Sequence, residues 1–381
     1  MIRLTPLTSP ALALLCLLSA VAIAAEPPTP SAAPATTPST GATDPAKPVA
    51  SPSPAPETPP MPTQVKAEAL GDVRPGVIVH TKLPGGRPFS LYVPKAYDKS
   101  RPWPLLVELT GRGIGRDNIT HIWQVADAFQ TIVVAPDTYA IFGKPGADVK
   151  VTETREAWSR SGKTLDVPLT TRDLPDFLRD LKADAEAIAA TVDLLRKSLT
   201  VERELVVLTG YSGGAWVAYY AGCSDPARYA GICVRSGTFH PGIMPPNPAR
   251  ALKLPITLVL GDKDLDLVLA DTAKAEEYFK RLKFEHFQVE RLPHSGHDNR
   301  PEAAGNFVRY LEQELKARRL AEARKRWEIF FKAGQEALAR GETDKARQWL
   351  QKAAEVEAAA GLPPEAAELL KKLDTPAAGT P

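Results

Sequence analysis

Three groups of residues, far apart in the chain, have the types and surroundings that acyl-transfer chemistry needs. The first is Gly210-Tyr211-Ser212-Gly213-Gly214, between an apolar run at 205–209 and a helix-like run from 213. A G-x-S-x-G turn joining strand to helix is so tight that its flanking positions tolerate almost no side chain, and it pushes the serine out at the strand's carboxyl end. Backbone N–H groups at the following helix N-terminus can then stabilise a developing oxyanion. The second group is Gly261-Asp262-Lys263-Asp264-Leu265-Asp266, after an apolar run at 256–260. A G-x-x-D turn aims its fourth residue back toward the strand end, which favours Asp264 as the acid. Asp266 is the reserve, and Asp262 reads as solvated. The third group is Pro293-His294-Ser295-Gly296-His297-Asp298, after a strand at 286–292. His297 is the expected base, with one ring nitrogen for Ser212 and the other for the acid; His294 competes. The order serine, acid, histidine is the one such an elbow requires.

An oxyanion also needs two donors. Gly213 supplies one N–H. The second is expected from Thr110-Gly111-Arg112-Gly113-Ile114-Gly115, with Arg112 preferred and Gly111 the alternative. That loop fits neither the dinucleotide fingerprint nor the P-loop. Tyr211, Trp158 and His240 are candidates for the substrate pocket, whereas His80, His121 and His286 read as surface or satisfied histidines. The aspartates lack a calcium-loop ligand series, and this chemistry needs no metal or organic cofactor.

The elements that must position these groups alternate along the chain. Segments 77–80 and 89–93 read as an opening antiparallel pair, with Gly85-Gly86 near the turn. Short apolar runs follow at 105–109, 131–135, 205–209, 231–235 and 256–260, with helical patterns at 176–198, 213–222 and 271–283. Continuous apolar runs suit parallel strands buried on both faces. The alternation implies a mostly parallel sheet flanked by helices, which binds ligands at the carboxyl ends of its strands. Segment 136–175 is long for a strand-to-helix connection and is expected to form a lid or pocket wall.

With these residues in view, the chain resembles the α/β-hydrolase superfamily. Within it, the likeness is to the secreted esterase, polyhydroxyalkanoate depolymerase and feruloyl esterase group, or to the neighbouring phospholipase/carboxylesterase group. Leu91-Tyr92-Val93-Pro94-Lys95-Ala96-Tyr97, the run from Trp103 to Gly113, the elbow, Gly261 to Asp264, and Gly296-His297 carry the likeness, which spans roughly residues 72–316. It departs at Thr110, where those families usually have histidine, and at Tyr211, where histidine or glutamine is common. The resemblance implies Ser212 as nucleophile, Asp264 as acid and His297 as base, in a serine esterase. A peptidase or thioesterase on the same triad, or a noncatalytic binding module of the same fold, are the alternatives.

The rest of the chain reads as appendages. Residues 1–25 have the form of a secretory signal, with Arg3, an apolar run at 11–23 and Ala22-Ile23-Ala24 as cleavage site. This implies a periplasmic or secreted protein, membrane-anchored only if the signal stays. Cys16 then belongs to the signal's apolar core, and Cys223 and Cys233 remain, either bridged or as buried thiols. Residues 26–66 are rich in Pro, Ala, Ser and Thr and read as a disordered tether. The hydrolase domain is expected over 67–317. With 47 Lys and Arg against 45 Asp and Glu, the net charge of +2 excludes a nucleic-acid partner. A helical extension is expected over 318–373, before a short tail at 374–381. Gly334, Gly341, Ala346 and Ala353 have the spacing of one tetratricopeptide repeat, which this region resembles. One repeat cannot bury its own core. These helices must dock on the hydrolase, pair with another chain or receive a protein partner, with Trp327 and Trp349 as anchors.

Overall fold

A computed structural model of the 381-residue chain describes residues 60–67, 70, 73–111, 115–141, 143, 151–158, 164–170 and 173–374. The segment read as a signal, most of that read as a tether and the last residues lie outside them, as do the side chains of most of 151–170.

Nine strands form one sheet: β1 (Gln64–Lys66), β2 (Ile78–Lys82), β3 (Pro88–Tyr92), β4 (Trp103–Thr110), β5 (Ile132–Pro136), β8 (Val201–Tyr211), β9 (Gly231–Arg235), β10 (Ile256–Gly261) and β11 (Phe287–Leu292). Their spatial order is β1-β2-β3-β5-β4-β8-β9-β10-β11. β3 pairs antiparallel with β2 and β5, and every other pairing is parallel. This is the mostly parallel sheet that the apolar runs imply. β4 is buried at all eight positions, because helices cover both faces.

On one face pack α2 (Leu174–Ser198), α3 (Gly214–Ser224) and α4 (Asp266–Arg281). The other face receives α1 (Trp123–Phe129) and the first half of α5 (Pro301–Ala339), through Ala304, Phe307, Val308 and Leu311. β-strand alternation sends neighbouring residues to opposite faces. Val206 and Leu208 therefore enter the α2–α3 layer, and Leu205 and Val207 the α5 layer. The same alternation separates the cysteines. Cys223 on α3 sits in one layer and Cys233 on β9 in the other, and both are free buried thiols.

The long connection after β5 carries structure of its own. It contains β6 (Val151–Trp158) and β7 (Thr164–Thr170), an antiparallel pair separate from the main sheet. Its start is tied down by the buried Asp184 of α2, whose carboxylate accepts the Tyr139 and Ala140 N–H groups at 2.8 Å and Arg87 at 2.6 Å.

The boundary expected at 317 falls inside a single helix, since α5 runs unbroken for 39 residues. Its sheet-packed half anchors it, and Arg319 adds a paired contact to Glu202 at 2.9 and 3.0 Å. Its second half packs on α6 (Thr343–Ala360), which in turn packs on α7 (Glu365–Asp374). The extension is thus docked through continuity of the helix itself. Trp327 and Trp349 are half-buried: Trp327 stacks on Phe331 at 4.7 Å, and Trp349 on Phe330 at 5.8 Å.

Candidate active site

The elbow's sharpness is visible in its backbone. Ser212 sits at φ 54°, left-handed and costly for a residue with a side chain. The flanking glycines follow from close approach. A Cβ on Gly210 would lie 2.7 Å from the Ala215 Cα, and one on Gly214 2.3 Å from the Leu109 carbonyl oxygen. Neighbouring strand ends hold the turn in place: the Ser212 N–H donates to the Arg235 carbonyl at 3.1 Å, and the Thr238 N–H reaches the Ser212 carbonyl at 3.4 Å.

Ser212, His297 and Asp264, distant in sequence, converge at the carboxyl ends of β8, β11 and β10. His297 Nε2 lies 3.2 Å from the Ser212 Oγ, and His297 Nδ1 lies 2.7 Å from Asp264 Oδ1. The imidazole and carboxylate are buried, while Ser212 keeps 9% of its surface exposed. Asp264 Oδ1 also accepts the Leu265 N–H at 2.7 Å, which fixes the carboxylate's orientation. This is the geometry a serine nucleophile, its base and the base's orienting acid require.

The competing residues lie elsewhere. Asp266 is exposed at the start of α4, and His294 is exposed with φ 53°. Asp262 is exposed, but it does more than meet solvent. Its carboxylate accepts the Ser295 N–H at 3.1 Å, and the backbone bonds from Ser295 and His294 hold it below the usual carboxylate range. The acid and histidine loops interlock further through Lys263 N–H to the Ser295 carbonyl at 2.8 Å. A Cβ on Gly261 would lie 1.9 Å from that same carbonyl oxygen.

Gly213 stands at the N-terminus of α3, and its N–H has no hydrogen-bond partner among the described residues. The loop after β4 comes right against it: a Cβ on Gly111 would lie 2.4 Å from the Gly213 nitrogen. The Gly111 N–H donates to the Tyr211 carbonyl at 3.2 Å, so it is engaged. This leaves the next residue, Arg112, as the nearer candidate for the second donor, and it lies outside the described residues.

Of the pocket candidates, Tyr211 is buried, and its hydroxyl donates to the His297 carbonyl at 3.2 Å. Its ring also lies 5.3 Å from the His297 imidazole, so it packs against the histidine loop. His240 is half-buried, and its Nδ1 accepts the Gly242 N–H at 3.0 Å. Burial is the main cause that lowers its pKa. Trp158 lies in β6, its side chain outside the described residues. His121 and His286 are exposed, and His80 is satisfied by Ser90 at 2.8 Å and Gln64 at 3.0 Å.

Sequence reasoning passed over Glu108 and Arg235 as ordinary strand members. Both are buried under the site. Their signal was present in the runs Leu-Val-Glu-Leu and Cys-Val-Arg, each with a charged residue inside a strand apolar on both faces.

Residues 175–313 match the family model described as phospholipase/carboxylesterase, a little over a third of the chain. No curated protein matches the chain significantly. Similar solved structures include an S-formylglutathione hydrolase of Staphylococcus aureus (13% identity, TM-score 0.44, covering 61% of this chain and 94% of that one). Another is a ferulic acid esterase of Anaeromyces mucronatus in complex with ferulic acid (14% identity, TM-score 0.44, covering 64% and 92%). A third is an esterase termed PE8 (21% identity, TM-score 0.41, covering 56% and 94%). The chain has the α/β-hydrolase fold.

Proposed function

We propose that this chain is an exported serine hydrolase that cleaves carboxylic esters through Ser212, His297 and Asp264. The observation that carries the reading is the hydrogen-bonded relay from Ser212 Oγ through His297 to Asp264, at 3.2 and 2.7 Å. The left-handed Ser212 and the Gly213 N–H beside it, without a hydrogen-bond partner among the described residues, support the same reading.

In this mechanism His297 Nε2 takes the Ser212 proton as Oγ attacks the acyl carbonyl carbon. Negative charge passes to the carbonyl oxygen, which the Gly213 N–H and a second donor at Arg112 receive. Asp264 accepts the Nδ1–H bond and stabilises the imidazolium. Collapse of the tetrahedral intermediate breaks the ester C–O bond, and His297 returns its proton to the departing alcohol. Water, deprotonated by the same imidazole, then attacks the acyl-enzyme; the acyl–Oγ bond breaks, His297 returns the proton to Ser212 Oγ, and a carboxylic acid leaves. Each removed oxyanion donor costs on the order of a hundredfold or more in turnover. Export rests on residues 1–25 alone. Among the described residues no helix is long and apolar enough to cross a membrane.

Hydrolysis of p-nitrophenyl esters from acetate to long acyl chains, with Ser212→Ala as control, tests the reading. Turnover that disappears in the variant supports it, and the chain-length profile sizes the pocket. A folded wild-type protein that neither turns over any ester nor takes a fluorophosphonate label would remove it. Labelling without ester turnover would redirect the search to thioester or peptide substrates on the same serine.

A further inference from the structure

The strands β4, β8 and β9 lie side by side under the elbow. On the face toward α5 these strands carry the apolar Leu106, Val207 and Cys233; Leu106 is level with Val207, and Cys233 lies one pair further along, level with Thr209. Two residues further on, the same face carries Glu108, Thr209 and Arg235. Arg235 is fully buried and Glu108 is 1% exposed. The guanidinium is used on every side. Its NH2 meets Glu108 Oε2 at 2.5 Å, and its Nε donates to Thr209 Oγ1 at 2.9 Å. Its NH1 donates to the Asn299 carbonyl at 3.0 Å and to the Asn299 side-chain oxygen at 2.6 Å. Glu108 Oε1 accepts the Asn118 side-chain amide at 2.5 Å.

We propose that Arg235 is a positioning residue, which with Glu108 and Asn299 holds the serine, histidine and oxyanion loops in one mutual register. This inference rests on the serine-hydrolase reading above. Three contacts carry it. The Arg235 carbonyl accepts the Ser212 N–H at 3.1 Å, so its backbone holds the elbow. Its guanidinium grips Asn299, two residues after His297 and in the same loop. Its counter-ion Glu108 lies three residues before Gly111, and the Glu108–Asn118 bond ties β4 to the turn at Gly115–His121.

Stability alone does not call for this arrangement. A fully buried ion pair is on average no better than apolar side chains of the same volume, because desolvating both charges costs several kcal/mol. Burial pushes the Glu108 carboxyl up, and the Arg235 guanidinium, with its hydrogen bond, opposes that. Apolar replacements would fill the space, but they would supply no directional bonds. A planar guanidinium with five donors on three nitrogens meets all four acceptors on Glu108, Thr209 and Asn299, whereas a lysine offers three donors from a single nitrogen. Small displacements of a base from its nucleophile lower rates sharply, by roughly a hundredfold for about 1 Å.

The test is the double variant Glu108→Gln/Arg235→Met, which removes both charges together and leaves an acceptor for Asn118. It should melt within a few degrees of the wild type. Its kcat on a p-nitrophenyl ester should fall roughly 10–100-fold with KM little changed, and fluorophosphonate labelling should slow in parallel. Arg235→Lys, which keeps the charge and loses the fork, should stay low in kcat. Wild-type kcat in a folded double variant would overturn the proposal. Should the double variant fail to fold, Asn299→Ala provides the second reading. It removes the side-chain bond to Arg235 at a half-buried position, and kcat should drop several-fold at constant KM; an unchanged kcat would overturn the proposal. A wild-type protein that neither labels nor turns over would instead sink the underlying serine-hydrolase reading.

Discussion

At the candidate site, Gly115 at φ 49° is joined in the left-handed region by four residues with side chains: Ser212 at φ 54°, Ser236 at 46°, His294 at 53° and Arg300 at 45°. In the C-terminal helices the corresponding positions are Gly341 at 72° and Gly361 at 65°. Glycine adopts that region freely, whereas other residues resist it by on the order of 1–2 kcal/mol. The helices are therefore locally consistent at their turns, and the site is not. The two regions also bury charge differently. The site gathers Arg235, Glu108, Asp264 and His297 among loops from four strands. The helices bury one carboxylate, Glu357, which accepts the Trp327 Nε1–H at 2.8 Å and caps α7 through the Ala366 N–H at 2.6 Å. Around it the packing is close and small-residue: a Cβ on Gly334 would lie 2.7 Å from the Leu350 Cγ. Strain and buried charge concentrate where chemistry is proposed, and the appendage follows ordinary helix rules.

That contrast can be broken by substitution. Asp264→Asn should have the largest effect: kcat on p-nitrophenyl esters falls on the order of 10⁴-fold with the fold intact, because His297 loses its orienting acceptor. Gly214→Ala drives a Cβ into the Leu109 carbonyl at 2.3 Å, so the melting temperature should fall sharply, at a cost of about 3 kcal/mol. Glu357→Ala should cost about 1–3 kcal/mol, felt within the helices alone. Hydrogen exchange should rise over residues 365–374 while ester turnover stays at the wild-type value; a loss of turnover would mean that the two regions are coupled. Ser212→Gly should abolish turnover and yet stabilise the fold by about 1 kcal/mol, read as a rise of roughly 2–4 °C in Tm. A lower Tm would show that the elbow is not strained. The smallest effect concerns the thiols. Burial pushes Cys223 and Cys233 up to about 12, so neither should react with Ellman's reagent in the native protein at neutral pH. In denaturant two thiols should appear if residues 1–25 have been removed, and a third, Cys16, if they have not.

Much of the sheet was legible because its signals are local. The runs at 105–109, 131–135 and 256–260 are apolar enough to declare strands buried on both faces; the first and third lie within observed strands, and the second is β5 shifted by one residue. Boundaries were harder. β8 extends back to Val201, which pairs with Trp103 across an irregularity that leaves the polar Glu202 and Arg203 out of register, and α4 begins at Asp266. The segment at 136–175 read as a long connection, a lid or pocket wall, with no strands assigned to it, and β6 and β7 pair within it. Their alternation includes charged residues and Pro168, which mask the strand pattern. Continuity through residue 317 also escaped notice, because nothing in the local pattern separates the sheet-packed half of α5 from the half that meets α6.

From the sequence alone came the strand-turn-helix at Ser212, the order of the acid and histidine groups behind it, and a mostly parallel sheet to carry them. Turn sterics and hydrophobic periodicity are properties of neighbouring residues, so they can be read without coordinates. Only the tertiary structure decided which of Asp262, Asp264 and Asp266 meets His297, and that Asp262 ties two loops together. It also decided that Tyr211 braces the histidine loop, that the two cysteines face opposite layers, and that Arg235 reaches Asn299. Each of these depends on cross-strand register and on loops brought together from positions far apart in the chain, where a side chain's partner is set by packing and not by its neighbours in sequence.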